Sequence, residues 1–331
     1  MHQHKINVCP STLRANFNTY SPLAQANLFG ERTRRVSHIL PMLSPSNNVK
    51  MFNEKRQHIS ISGVQEKYFL RQVKNNLSLT ENNSTHILKP IPLERLERLN
   101  DLPANEHVTM QIAKQVYQLK TAECGLIFFE DGSPAYITKR FDYKPNSVDK
   151  YALEDFASLL SKSPIHEGDS FKYNASYLQM AEIIQQYVAA APVALVEFYQ
   201  LIVFNYLFGN GDAHLKNFSL METQQGDFML SPAYDLLCTK LHIDDSALAL
   251  YGGDYDEASY YQHGTYTGMS FVVFAEKIGI SPKLASRIIE KFLEKLPKAI
   301  AFINHSFLSE EAKTHYIYIL QTRKKLLSIL A

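Results

Sequence analysis

Asp212, Asn217 and Asp235 are the residues whose types and spacing could move a phosphoryl group. The first two lie in Gly209-Asn210-Gly211-Asp212-Ala213-His214-Leu215-Lys216-Asn217 and have D-x-x-x-x-N spacing. With that spacing one loop can supply both a base for a substrate hydroxyl and an oxygen ligand for Mg²⁺, converging on a single γ-phosphate. The same spacing also arises by chance in a turn with an Asx cap. Asp235 closes Met229-Leu230-Ser231-Pro232-Ala233-Tyr234-Asp235, after a turn at Gln224-Gln225-Gly226-Asp227. A second metal-binding carboxylate belongs at this relative point, because Mg²⁺ is a hard ion that prefers anionic oxygen. Leu236-Leu237 follow it in place of Phe-Gly, and taken alone Asp235 also fits a helix cap.

Phosphoryl transfer from a nucleotide needs cations as well. Ile87-Leu88-Lys89-Pro90 is an apolar strand with one lysine, and the next helix opens Asn105-Glu106-His107. Strand lysine followed by helix glutamate is the order in which such a pair grips α/β-phosphates. The bland alternative is an edge-strand lysine with its head in water. Upstream, His58-Ile59-Ser60-Ile61-Ser62-Gly63-Val64-Gln65-Glu66-Lys67 stands where a phosphate-covering loop belongs. Its single glycine makes it neither G-x-G-x-x-G nor G-x-x-x-x-G-K-[ST]. Backbone amides around Ser62, Gly63, Val64 and Gln65 suit phosphate contact, and a plain turn fits the composition equally well.

The elements that must position these groups follow from local pattern. Residues 1–55 are rich in Asn, Ser, Pro and Arg, with little periodicity, and read as an irregular extension on the main body. Residues 56–142 are strand-like, with runs at 68–73 and 86–89, a hairpin around Asp131-Gly132, and one helix from Pro103 carrying Val108, Ile112, Val116 and Leu119 at helical spacing. Residues 143–331 are predicted mostly helical, over 153–160, 176–188, 192–208, 271–278, 282–296 and 310–330. Strands with one helix, then helices, predicts an α+β, two-lobed protein-kinase-like fold: a β-rich N-lobe and a mostly helical C-lobe. A connector is expected near 137–143.

Bulk properties exclude several classes. The formal charge of +1 recommends neither nucleic acid nor an anionic membrane as a direct partner, and 45% hydrophobic residues with no Trp indicate a globular chain. Cys9, Cys124 and Cys238 are too few and too scattered for a disulfide framework, which fits a reducing cytoplasm. The longest apolar stretch, around 195–208, is interrupted by Glu197, Gln200 and Asn205 and reads as a buried helix. No histidine spacing suits zinc; His242 and Asp244-Asp245 read as a solvated loop, and Tyr251 to Tyr266 as an ordered loop or partner surface.

Taken in order, these segments resemble the HipA-like serine/threonine kinases of bacterial toxin–antitoxin systems. The resemblance rests on Ser62-Gly63-Val64-Gln65-Glu66-Lys67, Ile87-Leu88-Lys89-Pro90, Asn105-Glu106-His107, Lys139-Arg140-Phe141-Asp142, Asp212 through Asn217, and Pro232-Ala233-Tyr234-Asp235. The chain is most similar to the short HipT branch, since it has no room for the extra amino-terminal subdomain of HipA proper. The resemblance implies ATP and Mg²⁺ as cofactors, with Asp212 as catalytic base and Asn217 and Asp235 as Mg²⁺ ligands. It further implies Lys89, paired with Glu106, and His214 near the phosphates, and the backbone at Lys139 and Phe141 against adenine. Ser60 and Ser62 would be regulatory autophosphorylation sites, where phosphate opposes ATP binding by repulsion. Implied partners are an aminoacyl-tRNA synthetase as substrate (tryptophanyl-type by analogy with HipT), a HipB-like DNA-binding antitoxin and a HipS-like small protein. Two other readings stay open: a catalytically silent kinase-like co-repressor, and a small-molecule phosphotransferase.

Overall fold

Cys124-Gly125-Leu126-Ile127-Phe128-Phe129 is apolar without alternation, a pattern that suits a strand covered on both faces. In the computed structural model, which describes residues 6–48, 52, 66–92, 96–145, 147–244, 248–252 and 257–330, that is its situation. The strands β1 (Ile39–Leu40), β2 (Tyr68–Val73), β3 (Asn76–Leu79), β4 (His86–Pro90), β5 (Cys124–Phe129) and β6 (Pro134–Lys139) form one sheet in the order β1-β5-β6-β4-β2-β3. Only β1 and β5 run parallel. Along β5, Cys124, Leu126 and Phe128 face the main core, while Ile127 and Phe129 face a second core. That second core is built with Tyr20, Leu28, Leu40 and Phe52 of the N-terminal segment.

The N-terminal segment is therefore more ordered than its composition suggests. It supplies helix α1 (Pro22–Phe29), capped by Ser21, and strand β1. It also satisfies the β5 backbone beyond the reach of β1: Leu126 N donates to Pro10 O at 2.6 Å, and Ser11 Oγ donates to Cys124 O at 2.8 Å. A side chain at Gly125 would meet Leu28, Pro10 and Ser11, each at 3.2 Å, so glycine permits this close approach.

The other face of the sheet packs on α2 (Leu102–Gln115), whose residues 102–113 are all buried. Leu119 lies beyond this helix, contrary to the spacing that placed it on the same face. The helical remainder holds α3 (Tyr177–Tyr187), α4 (Ala191–Leu207), α5 (Gly268–Lys277), α6 (Pro282–Glu294), α7 (Leu296–Asn304) and α8 (Glu310–Leu327). A Ser176/Gln179 capping box starts α3, and Pro192 sits in the first turn of α4. The α4 helix is buried on nearly every side from Ala194 onward, as its apolar sequence requires.

Three sequence expectations are corrected. The helix over 153–160 is instead a strand, β7 (Leu153–Asp155), followed by one helical turn, Phe156–Leu159. The strand exists because it pairs with β8 (Ser219–Glu222), which returns as β9 (Phe228–Leu230) through the predicted turn. The helix over 282–296 breaks at Lys295, and α7 follows it with Pro297 in its first turn. The stretch from Tyr251 to Tyr266, read as an ordered loop, contains a short helix, Ala258–His263. The molecule is thus a mixed helix-and-strand fold with its sheet contributed mainly by residues 39–139. No helix among the described residues is long and apolar enough to cross a membrane.

Candidate active site

The loop leaving α4 is fixed by its own polar groups together with Asn205 and Thr239. Gly209 turns the chain at φ +65, and a side chain there would lie 3.0 Å from Ile319 and 3.2 Å from the Cys238 sulfur. Asn210 is buried and donates from Nδ2 to Asn205 Oδ1 at 3.0 Å; its own Oδ1 accepts from Asp212 N at 3.3 Å. Thr239 holds the loop from the other side, accepting from Gly211 N at 2.7 Å and donating to Gly209 O at 3.2 Å. Asn217 Nδ2 donates to Asp212 O at 2.7 Å, so the two ends of the D-x-x-x-x-N segment are tied together. That bond also identifies the amide oxygen of Asn217 as the atom left for another partner.

The β8–β9 hairpin then carries the chain away and back, returning Asp235 to the same cleft. Asp235 adopts φ +56, a left-handed backbone uncommon for a residue with a side chain. Its carboxylate meets two lysines: Lys67 Nζ at 3.3 Å on Oδ2, and Lys89 Nζ on Oδ1. Burial opposes its ionisation, but Lys67 and Lys89 outweigh that and hold it below the ordinary carboxylate range.

Lys89 sits on β4, flanked by β2 and β6, and strand alternation points it away from Leu88, which belongs to the second core. The edge-strand reading of this lysine is thereby set aside. Its ammonium also donates to Glu106 Oε1 of α2 at 2.6 Å, so the strand-lysine and helix-glutamate expected from sequence do pair. The Lys89 side chain is 4% exposed and that of Glu106 1%. Burial opposes the lysine's charge, yet Asp235 and Glu106 keep it protonated above its usual range.

Asp212, 35% exposed, is surrounded by residues the sequence did not single out. Tyr173 Oη donates to its Oδ1, and Lys172 Nζ lies 3.8 Å from the same oxygen. Both belong to a short 3₁₀ turn, Phe171–Tyr173. Burial lowers the Lys172 ammonium below its usual range, against the pull of Asp212. His214 Nε2 is 3.5 Å from Asp212 Oδ1, and neither ring nitrogen of this buried histidine has a hydrogen-bond partner among the described residues. Burial pushes its pKa down to about 4 despite Asp212, leaving the imidazole neutral near pH 7.

Lys67, Lys89, Asp212, His214, Asn217 and Asp235 share one cleft of about 340 Å³. Its lining also includes Ile87, Ala122, Thr138, Lys139, Arg140 and Phe141. The Phe141 ring rests 6.0 Å from that of Tyr234, whose hydroxyl donates to Lys216 O. A lining that combines cations and oxygen donors with Ile87, Ala122 and Phe141 suits a ligand that joins a polyanionic group to an aromatic one. Ser60, Ser62, Gly63, Val64 and Gln65 lie outside the described residues. His242 is corrected from solvated loop to buried residue: Nε2 meets Asn105 at 2.9 Å and Nδ1 donates to Glu97 O at 2.8 Å.

The donor set suits a hard divalent ion. Asn217 and Asp235 offer amide and carboxylate oxygens to the cleft that holds the lysines. Among the described residues no group of three or more His, Cys, Asp or Glu could hold a metal, so an ion here would draw its remaining ligands from phosphate and water.

Comparison with known proteins gives the family and the fold. The family model described as HipA-like C-terminal domain matches residues 59–300. A Haemophilus influenzae protein named as a kinase is 28% identical over 294 residues, covering 84% of this chain and 83% of that one. The serine/threonine-protein kinase toxin HipA of Shewanella oneidensis is 27% identical over 270 residues, 74% of this chain and 57% of that relative. In a solved complex of HipA, HipB and operator DNA from a Shewanella oneidensis toxin–antitoxin system, one chain superposes with TM-score 0.66 at 21% identity. That match covers 87% of this chain and 72% of the other.

Proposed function

The chain belongs to the HipA-like C-terminal domain family, and from that premise we propose that it is an ATP-dependent serine/threonine protein kinase of a toxin–antitoxin system. The observation that carries the reading is the convergence of Lys89–Glu106, Lys89–Asp235 and the Asp212–Asn217 tie in one cleft. In this reading the nucleotide's base lies toward Lys139 and Phe141 and its phosphates toward Lys89, Lys67 and His214. A neutral His214 can donate one hydrogen bond to a phosphate oxygen without adding charge. Asp212 orients a serine hydroxyl and takes its proton as that oxygen bonds to the γ-phosphorus. The bond from the γ-phosphorus to the β–γ bridging oxygen breaks, and ADP leaves with the electron pair. Asn217 and Asp235 would hold Mg²⁺, whose charge would offset that of the phosphates.

Several finer assignments belong to the same proposal. The architecture is the two-lobed kinase arrangement, with residues 56–142 as N-lobe, 143–331 as C-lobe and 1–55 as an extension. The chain is of the short HipT type and acts in the cytoplasm. Its substrate is a serine of an aminoacyl-tRNA synthetase, and its partners are a HipB-like antitoxin and a HipS-like small protein. The HipA neighbour's complex with HipB supports the antitoxin partner. Autophosphorylation at Ser60 or Ser62 silences it by placing about −1.5 to −2 charges beside the triphosphate. A co-repressor without activity would have no need of Lys89, Asp212, Asn217 and Asp235 together. The test is to offer purified synthetases singly with γ-labelled ATP–Mg²⁺ and to map sites by mass spectrometry. Serine label on one synthetase and on Ser60 or Ser62 is expected; label on no protein would return the reading to a small-molecule phosphotransferase.

A further inference from the structure

A second cavity, of about 140 Å³, meets the first at the transfer residues. The two share Lys67, Lys89, Asp212, Asn217 and Asp235, but the second contains neither Lys139 nor Phe141. Its own lining sets Leu96, Leu102, Leu237 and Ile243 beside Glu106, Lys172, Tyr173, Thr239 and His242. In phosphoryl transfer the attacking and leaving oxygens stand roughly in line on opposite sides of the phosphorus. With the nucleotide in the first cavity, the second gives an attacking hydroxyl a separate approach to Asp212. Size narrows the visitor further. Small-molecule pockets usually have volumes of roughly 300–1,000 Å³. This one has room for a side chain or two of a larger partner.

A hydroxyl already stands where the acceptor's must. Tyr173 also lines the second cavity, and its Oη donates to Asp212 Oδ1, the contact an acceptor serine needs with the same base. Tyr173 is 40% exposed at the end of a three-residue turn; in leaving, its ring gives up an edge contact with His214 at 5.2 Å and the Lys172 ammonium at 4.8 Å. Lys172, buried beside it, remains 3.8 Å from Asp212 and preserves the positive field around the base.

We infer that the second cavity is the acceptor subsite, that it takes a peptide segment whose serine adjoins an aliphatic residue, and that Tyr173 holds the acceptor's place on Asp212 until that segment displaces it. The inference rests on the kinase reading. The carboxylates of this lining are already matched by Lys67, Lys89 and Lys172, so the selection against an acidic neighbour comes from its desolvation against Leu96, Leu102, Leu237 and Ile243. A leucine or isoleucine loses nothing there.

The experiment uses the full chain, γ-labelled ATP–Mg²⁺ and serine peptides in which each flanking position is varied among Leu, Asp, Lys and Gly. Wild type, Tyr173→Phe and Ile243→Asp are compared, and ATP binding is followed by calorimetry for all three. Ile243 is on the exposed rim, so its substitution spares the core. Peptides with leucine beside serine are expected to be preferred over aspartate by about tenfold or more. Tyr173→Phe lowers the peptide KM several-fold with kcat unchanged, Ile243→Asp erases the leucine preference, and ATP affinity holds throughout. Flank-independent transfer, or a preference that survives Ile243→Asp, overturns the subsite. A fall in kcat at constant KM in Tyr173→Phe overturns the displacement and makes Tyr173 a positioning residue for Asp212. If wild type labels its own serines but no peptide is labelled by wild type or Tyr173→Phe, the inference alone is overturned. If none binds ATP, the kinase reading falls, and this with it.

Discussion

Lys89 shows how much one side chain is asked to do: its ammonium, nearly out of water, joins a helix glutamate to Asp235 at the end of a distant hairpin. Removing it leaves Glu106 buried without a counter-ion. Lys89→Met keeps the shape and should cost about 3–5 kcal/mol in urea unfolding, the usual result of breaking a buried pair. Asp212→Asn is a different kind of change, since the base is partly exposed and its backbone ties remain. Transfer should fall about 10²–10⁴-fold with ATP affinity intact, measured by labelled transfer alongside calorimetry. At this scale the sequence was legible wherever chemistry imposes spacing or order, as in Asp212 to Asn217 and Lys89 before Glu106. Lys172 and Tyr173 were not legible. They precede Asp212 by about 40 residues in a segment with no motif, and only the folded chain brings them to its carboxylate.

Among the elements, α2 and the segment after Asp235 behave as one unit because of Asn105. Its Nδ2 donates to Cys238 O at 2.9 Å and its Oδ1 accepts from Cys238 N at 3.0 Å. The neighbouring residue on α2 is Glu106 and Cys238 is three residues past Asp235, so this clamp fixes both partners of Lys89. Asn105→Ala orphans the Cys238 N–H and C=O, each at about 1–3 kcal/mol when buried. Unfolding should move by at least one such increment, and kcat should drop because Glu106 and Asp235 lose their common register. Transfer kinetics beside urea melts would check both. Helices with a strong apolar period or a cap, such as α3 and α4, were readable in advance. The stretch 153–160 was not, because Leu-Glu-Asp-Phe-Ala-Ser-Leu-Leu favours helix locally while β8 recruits its first three residues as a strand.

At the scale of the whole molecule, two buried histidines fasten the N-terminal segment to the sheet and to α2. His86 Nε2 donates to Leu28 O at 2.9 Å, and His107 Nε2 donates to Ser11 O at 2.8 Å. Burial pushes both pKa values down to about 4, outweighing the raising effect of those hydrogen bonds. The unfolded chain, with ordinary values near 6.5, therefore binds protons first. Their contribution is complete above about pH 6.5 and is lost as pH falls toward 4. The urea midpoint should decline across that window, with a shallower slope in a His86→Gln/His107→Gln variant; equal slopes would remove the histidines from the account. Low periodicity hid this segment's role, since its order comes from covering β5. The central claim remains that Asp212, Asn217, Asp235 and Lys89 form a site for phosphoryl transfer from ATP. Incubating the purified chain with γ-labelled ATP–Mg²⁺, beside Asp212→Gln and Asp235→Gln, tests it most directly. Label on wild type, its own serines included, and none on either variant is the predicted result; equal label on all three, or none on wild type under any condition, would contradict it.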